Sequence, residues 1–216
     1  MRWPAKFWSF MPGPAGKPEI SSSLYRAAYC FFDAVSRFYC GLEARGIEHL
    51  PARGGVLVAA NHKSLLDPPF LAYCMARAGR RPYFLAKNEL FRNPFLGWVM
   101  RSLGSVPLER YSADVGALKS ALGLLESGQA IALFPEGTRK RKPLERFLPG
   151  IGFLALKSRA PVIPVFVPDF GSCPAFGSRV MLRFGPPIPY SEIAQCSAQE
   201  AAARVLEAVR SLSHDA

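Results

Sequence analysis

Val56-Leu57-Val58-Ala59-Ala60-Asn61-His62-Lys63-Ser64-Leu65-Leu66-Asp67-Pro68-Pro69 is the stretch from which the fold can be read. Its first five residues are apolar, too short a run for a helix, and bounded by polar groups. That pattern predicts a strand buried on both faces. A polar turn follows, and then a helical pattern from about Ser64 to Ala78. Reading outward, the alternation repeats. Tyr83–Ala86 is a predicted strand, followed by a helix from about Asn93 to Leu103. Val106–Leu108 is a short strand, followed by a helix from about Ala113 to Glu126 that Ser127-Gly128 closes. Ala130–Phe134 is a strand, then come a basic loop and a helix near Gly152–Ser158. Val162–Val167 and Val180–Phe184 are later strands. The final helix opens at Ser197 on a capping box, Ser197-Ala198-Gln199-Glu200. Strands separated by crossover helices predict a single α/β domain whose mostly parallel or mixed sheet is flanked by helices. In such sheets ligands bind beyond the carboxyl ends of the strands.

The composition fits this reading. The chain has 216 residues, half of them apolar, which is enough for one domain with a substantial core and argues against disorder. A membrane span needs about 20 apolar residues. Here the longest stretches without Asp, Glu, Lys or Arg, Phe7–Gly16 and Phe147–Leu156, both contain Pro and Gly. The first residues have no apolar core followed by a small-residue cleavage site, so no signal peptide is expected. The five cysteines form no C-x-x-C pair, which points to reduced thiols in a cytoplasmic setting and away from a zinc site. With 27 Lys+Arg against 16 Asp+Glu the net charge is +11, suited to anionic lipid, nucleic acid or small phosphorylated ligands.

Residues 1–42 differ from the rest. Residues 1–20 read as an irregular arm in which Trp3, Phe7, Trp8 and Phe10 stand beside Arg2, Lys6 and Lys17. Ser21–Ser23 can cap a helix running to about Cys40, whose circumference is mostly apolar or aromatic apart from Arg26, Asp33 and Arg37. Two readings stand open for it: a helix packed on the core, or one lying in a membrane interface.

Two constellations sit at strand ends. His62 directly follows Val56–Ala60, and Asp67, five residues on, lies in the first turn of the next helix. A carboxylate that accepts from imidazole Nδ1 fixes the tautomer and leaves Nε2 as a base. Ser64-x-x-Asp67 also has the form of a capping box, so Asp67 can serve as a helix cap, alone or in addition. The strand Ala130–Phe134 runs into Pro135-Glu136-Gly137-Thr138-Arg139. Glycine allows a tight turn, and a hydroxyl beside a guanidinium suits phosphate. Lys87, after Tyr83–Ala86, adds positive charge to the same end of the sheet, or is simply exposed. There is no G-x-S-x-G nucleophile motif, and no metal-ligating cluster is expected.

Asn61-His62-x-Ser64-x-x-Asp67, Lys87-x-Glu89-Leu90, Phe134-Pro135-Glu136-Gly137-Thr138-Arg139 and Pro161-Val162-Ile163-Pro164 together resemble the four ordered blocks of the glycerolipid acyltransferases, most nearly the bacterial 1-acylglycerol-3-phosphate type. The resemblance covers roughly residues 45–190. It implies an acyltransferase domain over 43–216; residues 1–42, the aromatic and basic arm with its amphipathic helix, are expected at the membrane interface from their own composition. It implies that His62 is the general base and Asp67 its partner. It also implies that Glu136, Gly137, Thr138 and Arg139 bind the acceptor with help from Lys87, Arg139 meeting the phosphate, and that Pro161–Pro164 shapes the acyl side. The implied reaction joins a fatty acyl group to the sn-2 hydroxyl of lysophosphatidic acid, giving phosphatidic acid. The acyl group comes from acyl-CoA or acyl carrier protein as co-substrate, with no further cofactor. The implied location is the cytoplasmic face of a membrane, peripheral or monotopic. Another lysolipid acceptor, such as lyso-ornithine lipid or a lysophospholipid, and a non-catalytic anionic-lipid-binding module are the alternatives. Nucleic acid is not expected as a partner, because the aromatics cluster at the N-terminus and not among the basic strand ends.

Overall fold

The computed structural model describes residues 21–108, 115–137 and 144–214. The strands are β1 Gly41–Arg45, β2 Val56–Ala60, β3 Pro82–Lys87, β4 Ser105–Leu108, β5 Ala130–Leu133, β6 Val162–Phe166 and β7 Arg179–Phe184. They form one sheet in the order β1-β7-β6-β2-β5-β3-β4. The helices are α1 Ser22–Phe38, α2 Asp67–Arg77, α3 Pro94–Ser102, α4 Val115–Glu126, α5 Gly150–Ser158, α6 Tyr190–Ile193 and α7 Ala198–His214. All neighbouring strands run parallel except β6 and β7, so the sheet is mixed, as the alternating pattern predicts.

β2 stands in the middle, between β6 and β5, and all five of its residues are buried. Successive side chains of a strand point to opposite faces. Leu57 and Ala59 accordingly join a core with Leu124 of α4, Leu154 of α5 and Val205 of α7. Val56, Val58 and Ala60 join the opposite core with Phe70, Leu71 and Cys74 of α2. The chain leaves β2 toward β3, later inserts β5 between them, and then lays β6 on the other side of β2. Beside β2 the direction of winding therefore reverses, and this reversal opens a crevice at the carboxyl ends of the strands.

β1 is absent from the sequence expectation. Its five residues include Glu43 and Arg45, only Leu42 is buried, and it pairs with β7 alone at the edge of the sheet. The capping box at the last helix forms as predicted: Ser197 N–H donates to Glu200 at 2.7 Å, and Glu200 N–H donates to Ser197 Oγ at 3.2 Å. These hydrogen bonds hold the Glu200 carboxyl below its usual range.

For α1 the core-packing reading holds along one face. That face packs on α2: the Tyr29 and Tyr73 rings stack at 5.3 Å, Phe32 meets Phe70 edge-on at 5.9 Å, and Tyr73 Oη donates to Asp33 at 3.0 Å. The opposite stripe, Ala27, Phe31, Ala34 and Phe38, is exposed. The aromatic arm of residues 1–20 lies outside the described residues. Among the described residues, no helix is long and apolar enough to cross a membrane.

The amino ends of the parallel strands are closed by a buried cation. Arg80 donates to the carbonyls of Ala52 at 3.2 Å, Gly54 at 2.7 Å and Gly128 at 3.3 Å, which lie in the turns before β2 and β5. Desolvation lowers its pKa, yet each of these hydrogen bonds ends on backbone.

Candidate active site

The last turn of β2 is held from both sides. Asn61, fully buried, donates from Nδ2 to the Val167 carbonyl and accepts from the Val167 N–H, both at 2.7 Å. Val167 follows β6, so one amide ties the end of β2 to the end of its neighbour. On the other flank, His62 N–H donates to Glu136 Oε1 at 2.7 Å. The β-ladder accounts for this contact: Ala59 pairs with Leu133, and continuing in step brings residue 62 level with residue 136.

His62 Nδ1 lies 2.9 Å from Asp67 Oδ2. The same oxygen accepts the backbone N–H groups of Lys63 at 2.7 Å and Ser64 at 2.8 Å. A carboxylate only accepts, so the shared proton belongs to Nδ1 and the Nε2 lone pair is left for the crevice. Among the described residues, nothing hydrogen-bonds to Nε2. Ser64 Oγ accepts from Leu66 N–H at 3.3 Å. Asp67 thus closes the turn before α2 and fixes the imidazole, whereas α2 itself starts at Asp67 behind Leu66 with no side-chain cap, so the helix-cap reading of Ser64-x-x-Asp67 is not realised. The Asp67 side chain has no exposure and that of His62 is 13% exposed, a base at the edge of the protein with its partner fully inside. The imidazole stacks on Phe134 at 4.4 Å and 29°, and Phe134 lies parallel to Phe84 at 6.2 Å and 6°. Ring orientation is therefore limited from below as well as along its hydrogen bond.

The remaining candidates occupy the ends of β3 and β5. Gly137 adopts φ 73°, left-handed backbone that favours glycine, and a Cβ there would stand 2.8 Å from Leu148 Cδ1. Thr138 and Arg139 lie outside the described residues, as do Lys140–Lys142. Lys87, the last residue of β3, is 39% exposed with its Nζ 3.7 Å from Glu89. The carboxyl of Glu89 is held below its usual range by its own backbone N–H and then by the charges of Lys87 and Arg92. His62, Lys87, Glu136 and Gly137 therefore share one end of the sheet, on three adjacent strands. The family resemblance implies that Glu136 belongs to the acceptor site; in the fold its carboxylate also braces the backbone of His62. His49 is spent elsewhere, with Nδ1 3.0 Å from the Phe184 carbonyl. Sequence reasoning missed Asn61 as a clamp and Phe134 as the floor under the imidazole. A buried Asn at a strand end is the only local hint of the first, and nothing local marks the second.

The family model described as Acyltransferase matches residues 41–168, more than half of the chain, from β1 to just past β6. The chain belongs to the acyltransferase family. Among relatives of this acyltransferase, the chloroplastic 1-acyl-sn-glycerol-3-phosphate acyltransferase BAT2 of Brassica napus is 33% identical over 147 residues, covering 66% of this chain and 42% of the relative. The 1-acyl-sn-glycerol-3-phosphate acyltransferase of Bacillus subtilis is 28% identical over 176 residues, covering 78% of this chain and 84% of the relative. The chain thus spans about two fifths of the plant protein it matches and most of the bacterial one. The crystal structure of the 1-acyl-sn-glycerophosphate acyltransferase PlsC from Thermotoga maritima superposes with a TM-score of 0.66 at 25% identity, covering 88% of this chain and 79% of that one. The acyltransferase fold expected from the sequence is therefore the fold found, and β1, missed in the sequence, lies within the family domain.

Proposed function

We propose that the protein transfers a fatty acyl group from a thioester of coenzyme A or acyl carrier protein to the sn-2 hydroxyl of 1-acylglycerol-3-phosphate, giving phosphatidic acid in phospholipid biosynthesis. The observation that carries this reading is the His62–Asp67 pair at the carboxyl end of the central strand, with the Nε2 lone pair left for the crevice. The names of the bacterial and plastid relatives support the acceptor.

The chemistry follows from the geometry. Nε2 takes the proton of the sn-2 hydroxyl as its oxygen attacks the thioester carbonyl. The developing imidazolium is stabilised by the buried Asp67 carboxylate through the Nδ1–H bond. The tetrahedral intermediate collapses with cleavage of the C–S bond, and the imidazolium returns its proton to the departing thiolate. The acyl group passes directly to the acceptor, so neither a protein nucleophile nor a further cofactor is required. General-base help is worth about 10²–10⁴-fold, so holding the two substrates in register supplies the remainder. Lys87, Glu136, Gly137, Thr138 and Arg139 form the acceptor site, Arg139 holding the phosphate in two-pronged fashion. The exposed stripe of α1, flanked by Arg26 and Arg37, lies against anionic lipid at the cytoplasmic face of the membrane, as a peripheral or monotopic contact.

The test is thioester consumption with purified protein, lysophosphatidate as acceptor, and acyl-CoA or acyl carrier protein as donor in separate arms. Lysophosphatidate-dependent release of free thiol with formation of phosphatidate is the expected result. Thiol release without dependence on lysophosphatidate, or none with either donor, overturns it. An Arg139→Ala variant sharpens the acceptor assignment: its acceptor KM rises steeply while its donor KM stays within about twofold, and Arg139→Lys rescues little because a point charge lacks the planar fork.

A further inference from the structure

α3 presents an apolar face that no step of the reaction uses. It begins just beyond the carboxyl end of β3, after the 3-10 turn Asn88–Phe91, at the same end of the sheet as His62. Asn93 caps it, accepting from Leu96 N–H at 3.0 Å. The helix lies flat on the turn because Gly97 has no side chain: a Cβ there would stand 2.8 Å from the Phe91 carbonyl oxygen. Packing that backbone inward turns the bulky residues outward. Phe95 is 74% exposed and Trp98 55%, with their rings 6.2 Å apart, and Leu90 and Leu96 are exposed beside them. Large aromatics open to water in this way mark a contact surface.

The charges around this face are mostly positive, and Glu89, beside Leu90, has Lys87 Nζ at 3.7 Å. Arg92 and Arg101 are exposed, and no Asp or Glu occurs between Phe91 and Leu108. Tryptophan and phenylalanine ringed by arginine is the composition favoured at the surface of an anionic bilayer. The exposed stripe of α1, with Phe31 and Phe38 beside Arg26 and Arg37, repeats it. The two helices are joined where Ser21 N–H donates to the Ser102 carbonyl at 2.9 Å.

We propose that the outward face of α3, built from Leu90, Phe95, Leu96 and Trp98 with Arg92 and Arg101, is a second bilayer contact that seats the carboxyl end of the sheet on anionic phospholipid. The proposal rests on the acyltransferase reading for its occupant, since an enzyme with a lipid acceptor must draw it from a bilayer. A contact on α1 alone leaves the protein free to pivot. A contact on α3 as well fixes the orientation of the domain on the lipid, with Leu90 and Phe95 at the end of the helix nearest the carboxyl end of β3.

Of the three tryptophans, Trp3, Trp8 and Trp98, only the last is on α3. The full chain carrying Trp3→Phe and Trp8→Phe therefore reports on this face alone. With vesicles about one-third phosphatidylglycerol, Trp98 emission should shift to the blue. Lipids brominated near the head-group end of the acyl chain should quench it more than lipids brominated at the terminal methyl. In the otherwise native chain, Phe95→Ser with Trp98→Ser should weaken vesicle sedimentation about tenfold or more at an unchanged melting temperature. Protein that sediments with vesicles while Trp98 emission stays unchanged overturns the proposal. Emission already blue and indifferent to vesicles overturns it in favour of cover by residues 1–20, and a concentration-dependent dimer that buries Trp98 overturns it in favour of a second copy. Sedimentation and quenching read no turnover. A chain inactive on lysophosphatidate but quenched at Trp98 removes the acyltransferase reading alone, and an active chain with unresponsive Trp98 removes the α3 contact alone.

Discussion

The two ends of the same sheet hold ionisable groups in opposite ways. At the amino ends of β2, β3 and β5, Arg80 spends its donors on the carbonyls of Ala52, Gly54 and Gly128. At the carboxyl ends, His62 has one ring nitrogen bound to Asp67 and a ring face on Phe134, and the other nitrogen meets none of the described residues. Both groups lie at strand ends and both are mostly enclosed. The difference is in what is left over: a guanidinium bound to backbone carbonyls fastens loops, whereas an imidazole bound through one nitrogen keeps the other in reserve. Substitution at the two ends should accordingly act on different quantities, and four experiments press on that contrast.

The largest effect belongs to the base. His62→Ala should lower turnover on the order of 10²–10⁴-fold while thermal unfolding stays near that of the native protein. Asp67→Asn should lower turnover by on the order of 10² or more with little change in acceptor KM, because an amide oxygen can still accept the three N–H groups while the charge is lost and an NH2 replaces the buried Oδ1, which has no hydrogen-bond partner among the described residues. A folded His62→Ala protein with near-native turnover would erase the contrast.

Arg80→Met should act the other way. Loss of its hydrogen bonds to three turn carbonyls should cost about 2–4 kcal/mol in denaturant unfolding. Turnover per folded molecule should be preserved, since this end of the sheet is remote from the reacting groups. A drop in turnover at full folding would mean that the two ends are coupled.

Glu136 tests the border between the two behaviours, because it is a charge whose described bond is to backbone. Glu136→Ala removes the acceptor for His62 N–H and should lower kcat about tenfold, the worth of one such hydrogen bond. Glu136→Gln keeps an acceptor oxygen and should recover most of it. Equal losses in both variants would assign its role to charge and not to bracing.

The smallest effect is confined to alkaline solution and comes from groups at neither end. Burial in the α2 core pushes the Cys74 thiol up from 9.0 to about 12, and burial, then the bond to Asp33, pushes the Tyr73 hydroxyl up from 10.0 to about 12. Between those values the unfolded chain binds fewer protons than the folded one. The contribution of these two groups to stability should therefore be complete below about pH 9 and fall as pH rises above it, which chemical unfolding at a series of alkaline pH values will show. At pH 8 a thiol reagent should modify the exposed Cys30 and Cys173 promptly and Cys74 only on unfolding.

What could be read from the sequence was local. Val56–Ala60 is apolar on both faces because helices cover both, so its burial is written in its own residues. The His62–Asp67 pair was legible because a strand end followed by one turn of chain is enough to bring them together. β1 was not, since an edge strand buries a single residue and carries charges in solvent, leaving no alternation to detect. Nor were Asn61 with Val167 or His62 with Phe134, which depend on how β2 aligns with β6 and β5, and register between distant strands leaves no mark in either segment. Glu136 lies between these cases: its loop was recognisable, but its contact with His62 follows from the ladder.

The clamp on Asn61 also bears on when the site can exist during synthesis. His62 and Asp67 emerge together, yet the amide beside them closes on Val167, more than a hundred residues later. A nascent chain stopped at residue 160 holds the histidine, the aspartate and the Glu136 loop, but not the strand against which β2 must terminate. The ribosome thus delivers the motif early, and the tie between the end of β2 and its neighbour can close only after Val167 has left the tunnel.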